Sequence, residues 1–116
     1  MKIIQFIAYS LLFLSLNSCQ KLDLEVDVPN CIETKIMNIM NEPVQNPATE
    51  VWEWKDDQNA YYYIISGCCD QYNYLYNDKC NVVCAPDGGF TGLGDGNCPS
   101  FQGQVQKTLV WKDPRE

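Results

Sequence analysis

Apolar residues run almost unbroken from Ile3 to Leu16, behind Lys2, and give way at Asn17-Ser18-Cys19. A basic start, an apolar centre and small residues at the end form the pattern of a secretory signal peptide. The run also falls short of the roughly 20 residues that a membrane-spanning helix needs. In Leu22-Asp23-Leu24-Glu25-Val26-Asp27 apolar and acidic positions then alternate, which reads as a charged tether able to pair as an edge strand. Ile32, Ile36, Ile39 and Met40 next recur at helical spacing, and Asn30 followed by Glu33 has the form of a capping box. One amphipathic helix is expected from Cys31 to Asn41, ended by Pro43 and Pro47.

From Glu50 the period is two. Val51-Trp52-Glu53-Trp54-Lys55 sets both tryptophans on one face, and Ala60 to Ser66 is rich in β-forming Tyr and Ile. Between them Asp56-Asp57-Gln58-Asn59 has the composition of a hairpin turn. Tyr72, Tyr74 and Tyr76 alternate again, as a short strand or an irregular loop. Asn81 to Cys84 reads as a further short strand, and Val105 to Lys112 as the last, with Val105, Leu109 and Trp111 on a shared side. The expected fold is α+β: one N-terminal amphipathic helix packed on a small antiparallel β-sheet, stabilised by disulfides. The expected organisation is a signal peptide over 1–18, a tether over 19–29 and a single small cysteine-rich domain over 30–116.

Seven cysteines are an odd number, which in an exported chain calls for one with a separate fate. Leu16-Asn17-Ser18-Cys19 resembles the lipobox of bacterial lipoproteins, in which the cysteine is acylated by palmitate-type chains and becomes the N-terminus. Asn17 is bulkier than that pattern favours. The resemblance makes Cys19 the lipid anchor and places the protein in the cell envelope, at an outer membrane. An ordinary secretory peptide cut nearby, with Cys19 a plain thiol, is the competing reading.

Cys31, Cys68, Cys69, Cys80, Cys84 and Cys98 remain in a processed chain of 98 residues, small enough for its core to gain from covalent help. Three disulfides are expected in an oxidising compartment. Cys80 and Cys84 cannot pair across an extended segment, because four residues of strand span about 13 Å and bridged Cα atoms lie about 4.4–6.8 Å apart. Adjacent Cys68 and Cys69 face opposite sides of a strand and are expected to tie one element to two neighbours, with Cys31 and Cys98 as natural partners. Zinc is disfavoured, since only Cys80-x3-Cys84 fits a hook loosely and the chain has no histidine.

That missing histidine also excludes Ser-His-Asp and Cys-His catalysis in their usual forms, so no enzyme activity is expected. Paired carboxylates are the remaining acid–base candidates: Glu50 with Glu53, Asp56 with Asp57, or Asp87 with Asp95. The plainer reading of each is solvated surface charge. The net charge is −7, and about −8 once Lys2 leaves with the signal peptide. A nucleic-acid partner would be repelled, and membrane attachment falls to the lipid rather than to a basic patch.

Six tyrosines lie between Tyr61 and Tyr76, either as an aromatic binding face or as strand residues half of which enter the core. Ala85 to Cys98 holds five of the seven glycines, so this loop adopts conformations closed to other residues. Its simplest account is a set of tight turns stapled by Cys84 and Cys98. Asp87, Asp95 and Asn97 could ligate calcium, but Asp95-x-Asn97 is only a fragment of an EF-hand pattern, and no other cofactor is expected. Gly92-x-Gly94-x-Gly96 does not match a dinucleotide or P-loop motif.

Cys68-Cys69-Asp70-Gln71-Tyr72, Cys84-Ala85-Pro86-Asp87-Gly88-Gly89-Phe90-Thr91-Gly92 and Gly94-Asp95-Gly96-Asn97-Cys98-Pro99 together resemble a family of small bacterial envelope lipoproteins described only as a domain of unknown function. The resemblance covers roughly residues 31–101 and implies no activity. Cys80 is an addition to that pattern. The leading expectation is a non-enzymatic module that binds a protein or glycan partner through Tyr72, Tyr74, Phe90, Asp87 and Asp95. A protease inhibitor presenting Phe90-Thr91 on a rigid loop is the second, and a carboxylate-dependent hydrolase using Asp87 or Asp95 the third.

Overall fold

The computed structural model describes residues 22–67 and 69–115. The apolar run, its cut site, Cys19 and Cys68 lie outside these residues. One helix, α1 (Asn30–Met40), precedes five strands: β1 (Glu50–Lys55), β2 (Ala60–Ile65), β3 (Tyr72–Tyr76), β4 (Val82–Gly88) and β5 (Gln106–Lys112). They form one sheet in the order β4-β3-β2-β1-β5, antiparallel throughout. β1 to β4 are a meander, and β5 returns beside β1, so residues 89–105 must cross from one sheet edge to the other.

This corrects the α+β expectation. The described fold is predominantly a five-stranded antiparallel sheet, and α1 is a single helix of 11 residues that buries only Ile32 and Ile36. Helical periodicity reveals that a helix forms, but not how much of the core it covers. Here the rest of that core is filled by Val51, Tyr62, Val110 and Trp111, with Leu22, Leu24, Val26 and Val28 packed against it. The charged segment 22–28 thus lies on the domain, its apolar residues half-buried and its acids exposed. The Glu25 N–H donates to the Val110 carbonyl at 3.1 Å.

The start of α1 also differs from expectation. Pro29, not Asn30, is the N-cap, and no side chain caps the helix. The Pro29 carbonyl accepts from the N–H groups of Ile32 and Glu33 at 2.9 and 3.2 Å. Proline's restricted φ prepares this start without a capping side chain, and Asn30 instead supplies a carbonyl to the Thr34 hydroxyl. At the other end, Arg115 donates to the carbonyls of Ile39, Met40 and Glu42 at 3.1, 3.0 and 2.8 Å. Its guanidinium is paired at 2.8 Å with the buried carboxylate of Asp113. Cations near a helix C-terminus satisfy its orphan carbonyls and oppose its dipole.

The sheet has two covered faces. Val51 and Glu53 share the helix face with their partners Ile64 and Tyr62, whereas Trp52 and Trp54 lie opposite Tyr63 and Tyr61 on the other face. The two faces carry separate clusters: Ile32, Ile36, Val51, Tyr62, Val110 and Trp111 on one, Tyr63, Leu75 and Cys84 on the other. Period-two alternation therefore sorts β1 and β2 as expected, and Tyr62 and Tyr63 are both buried. β5 departs from it. Val51 pairs with Trp111 and Trp52 with Leu109, so Val110 is an extra residue in a bulge. A bulge reverses the alternation beyond it, which puts Leu109 and Trp111 on opposite faces rather than on a shared side.

The crossover packs over the second face. Phe101 sits edge-on to Trp54 and Tyr61, with centroids 6.0 and 5.4 Å away. Asp56 organises the β1–β2 turn by accepting from the N–H groups of Gln58 and Asn59, and its other oxygen accepts from Gln102 N–H in the crossover. Cys84–Cys98 ties the crossover to β4, and Cys31–Cys80 ties α1 to the β3–β4 turn. The expected pairing of Cys31 and Cys98 with the 68–69 pair is thereby corrected, although Cys69 is itself disulfide-bonded. The strand expected there does not hold at Cys69, which has φ +74° in a loop outside the ladder.

Candidate functional site

The glycine-rich segment begins where β4 ends. Gly88 pairs with Tyr72 and also bridges Leu93, and the Gly89 N–H donates to the Gln71 carbonyl at 3.1 Å. The chain then reverses at Phe90-Thr91, closed by a 3.1 Å bond from Gly92 N–H to the Gly89 carbonyl. Thr91 Oγ1 accepts from Leu93 N–H, Gly94 N–H donates to the Gly88 carbonyl, and Asp95 N–H donates to the Ala85 carbonyl. Backbone bonds on this scale fold the segment into a knuckle against the outer edge of β4. They also satisfy groups that would otherwise invite another strand to pair.

A side chain at Gly89 would meet the ring of Tyr72, since a Cβ there would lie 2.5 Å from Cε1. The glycine therefore lets Tyr72 lie against the base of the knuckle. Tyr72 continues into a ladder along β3, with centroid separations of 6.0 Å to Tyr74 and 6.3 Å from Tyr74 to Tyr76. Lys35 on α1 covers the last of these, its Nζ 4.2 Å from the Tyr76 centroid.

With the backbone held inward, the side chains point out. Phe90 is 94% exposed and Leu93 82%, while Tyr72 at the base of the knuckle and Tyr74 next to it on β3 are 41% and 37% exposed. Apolar side chains exposed singly are ordinary, but two large ones within four residues on a braced turn are the kind of exposure that marks interaction sites.

The expected acidic site residues have structural partners. Asp87 accepts from the Tyr63 hydroxyl, and from Asn73 Nδ2 at 2.7 Å. Asn73 Oδ1 in turn accepts from Ser66 N–H. Burial and this bond to Asp87 push the Tyr63 hydroxyl pKa well above its ordinary value. Asp95 accepts from Asn97 N–H at 2.9 Å, and that backbone bond holds its carboxyl below the usual range. Glu50 and Glu53 lie on opposite faces of β1 and do not converge. Glu53 is buried and accepts from the Tyr62 hydroxyl at 3.3 Å, while burial and the Glu53 charge push Tyr62 up to about 12. Among the described residues no group of three or more acidic or cysteine side chains is placed to hold a metal.

Tyr72 is thus brought to the base of the turn that carries Phe90, with Tyr74 next to it along β3, while Asp87 braces the Tyr63 and Asn73 side chains and Asp95 the Asn97 backbone. Leu93 was missed. Its signal was present, a large apolar residue between glycines with no periodic partner, but only the fold shows that it stays exposed.

A sequence model of the family described as "Domain of unknown function (DUF6970)" matches residues 37–113, from within α1 to just past β5. No curated protein and no solved structure matches the chain.

Proposed function

We propose, for a chain that belongs to the DUF6970 family of domains of unknown function, a non-enzymatic binding module. It is held at a bacterial cell envelope through acylated Cys19 and docks a protein partner on the Phe90–Leu93 knuckle. The observation that carries this reading is the near-complete exposure of Phe90 and Leu93 on a turn braced by backbone hydrogen bonds. A preformed turn loses little conformational freedom on binding, and large apolar side chains presented on it are suited to fill a pocket on a partner as interface anchors. The negative charge favours a partner surface that is neutral or basic.

The inhibitor reading fits this geometry less well. Phe90 and Thr91 form the tip of a closed turn rather than the extended segment that a protease cleft grips. The hydrolase reading is weakened because Asp87 is committed to Tyr63 and Asn73.

The test is a photo-crosslinking residue placed at Phe90, Leu93 or, as a control, exposed Thr34 on α1, in cells making the processed protein. One envelope protein captured from both knuckle positions but not from Thr34, and lost in Tyr72→Ser with Tyr74→Ser, supports the reading. The same captured set from all three positions would place the docking surface elsewhere.

A further inference from the structure

We infer that the end of the second sheet face left open by the crossover is a separate binding site, for a neutral pyranose glycan. The crossover covers this face with Cys98 and Phe101. Beyond it an open groove of about 250 Å³ remains, lined by Glu50, Trp52, Trp54, Tyr63, Ile65 and Lys107. A volume below the roughly 300–1,000 Å³ of drug-sized pockets suits one or two sugar rings.

Three features set its chemistry. First, the aromatic wall is preorganised. Tyr63 lies 5.0 Å from Trp54 and its hydroxyl is held by Asp87, while Lys107 Nζ sits 4.1 Å from the Trp54 centroid. Second, Trp52 lines the groove half-buried, packed against the cluster of Tyr63, Leu75 and Cys84, and makes no aromatic-pair or cation–π contact among the described residues. Among the described residues its indole N–H has no acceptor, and it is not buried. It therefore offers a flat apolar surface and a donor together, which matches a pyranose: one face of C–H groups, an edge of hydroxyls. Third, the rim carries one acid and one base. Glu50 lies four residues from Trp54, whose register partner is Lys107. That sets their backbone positions about 13 Å apart along β1, with Trp52 between them. A charged ligand would meet one favourable and one opposing group, whereas a chain of neutral hydroxyls can donate to Glu50 and accept from Lys107.

The test follows the indole N–H resonances of the 15N-labelled processed chain, carrying Cys19→Ser to keep it free of detergent, during titration with cellotetraose or chitotetraose. Saturable movement of the Trp52 signal, with the buried Trp111 signal unmoved, is expected. Trp52→Ala should abolish the remaining saturable shifts around the groove. Exposed Lys107→Gln, which leaves the core intact, should weaken binding by roughly fivefold or more. Phe90→Ser with Leu93→Ser should leave the titration unchanged, so this site and the knuckle can fail separately. Two results would overturn the inference: no movement of Trp52 with either saccharide, or movement only with a leucine-bearing tripeptide, which would make the groove a peptide site.

Discussion

Gly94→Ala compared with Gly92→Ala isolates the steric fit of the knuckle against β4. The two glycines have nearly the same backbone, φ +77° and +75°. Placing Ala there costs about 1–2 kcal/mol in either position, and the entropy removed from the unfolded chain is the same for both. Their surroundings differ. A Cβ at Gly92 meets nothing within 4 Å, whereas one at Gly94 would lie 2.1 Å from the Ala85 carbonyl oxygen and 2.8 Å from the Pro86 carbonyl carbon. Those are backbone atoms of β4 and cannot rotate aside. Forced overpacking of this kind costs about a further 1–3 kcal/mol. A domain of this size loses roughly 4–8 °C in Tm per kcal/mol, so Gly94→Ala is expected to melt at least about 4 °C below Gly92→Ala. Thermal unfolding by circular dichroism reads the global effect. If the loop instead lifts away to relieve the clash, amide exchange at Gly94 and Asp95 will accelerate, because their bonds to Gly88 and Ala85 break. Equal melting temperatures together with equal exchange would refute the claim that the knuckle is seated on β4.

Two further predictions concern titration. Hydrogen bonding from Arg115 holds the Asp113 carboxyl below its usual range. Its contribution to stability is therefore present above the unfolded value of about 3.9 and lost as pH falls through the lower folded value. Urea midpoints of the wild type and Asp113→Asn are expected to differ near neutrality and converge in acid; a gap independent of pH would contradict this. The Tyr62 and Tyr63 hydroxyls are raised, chiefly by burial. A raised folded value gives stability that is complete below the unfolded value of about 10 and is lost as pH rises through the folded one. Their tyrosinate absorbance is expected to appear only as the protein unfolds in alkali, with Tyr62→Phe and Tyr63→Phe each removing amplitude from that phase; full tyrosinate signal from a still-native sheet would exclude it.

Much of the sheet was legible because its strands obey local rules. Trp52 and Trp54 alternate with Val51 and Glu53, and the Asp56 turn between β1 and β2 carries its own side-chain acceptors. The misreadings came from residues whose roles depend on distant partners. Pro29 displaced Asn30 as the helix cap, the bulge at Val110 sent Leu109 and Trp111 to opposite faces, and Cys31 found Cys80 across 49 residues. At the candidate site, glycine content announced an unusual loop, and Tyr72, Tyr74 and Phe90 stood out as large aromatics. Nothing local distinguished Asp87, which braces Tyr63, from an acid free to act.

Hydrophobic period and turn chemistry by themselves determined which segments extend and which coil, since those preferences operate over a few neighbouring residues. Composition likewise excluded imidazole chemistry, because no arrangement of this chain supplies a histidine. Only the tertiary structure decided which apolar residues stay wet. With β4 and β5 at opposite edges, residues 89–105 must travel over one face. That path covers Trp54 with Phe101, leaves the Trp52 groove open, and turns Phe90 and Leu93 outward at its start. Exposure is a property of what lies above a side chain, and that is set by strand order rather than by the residue's own neighbours in sequence.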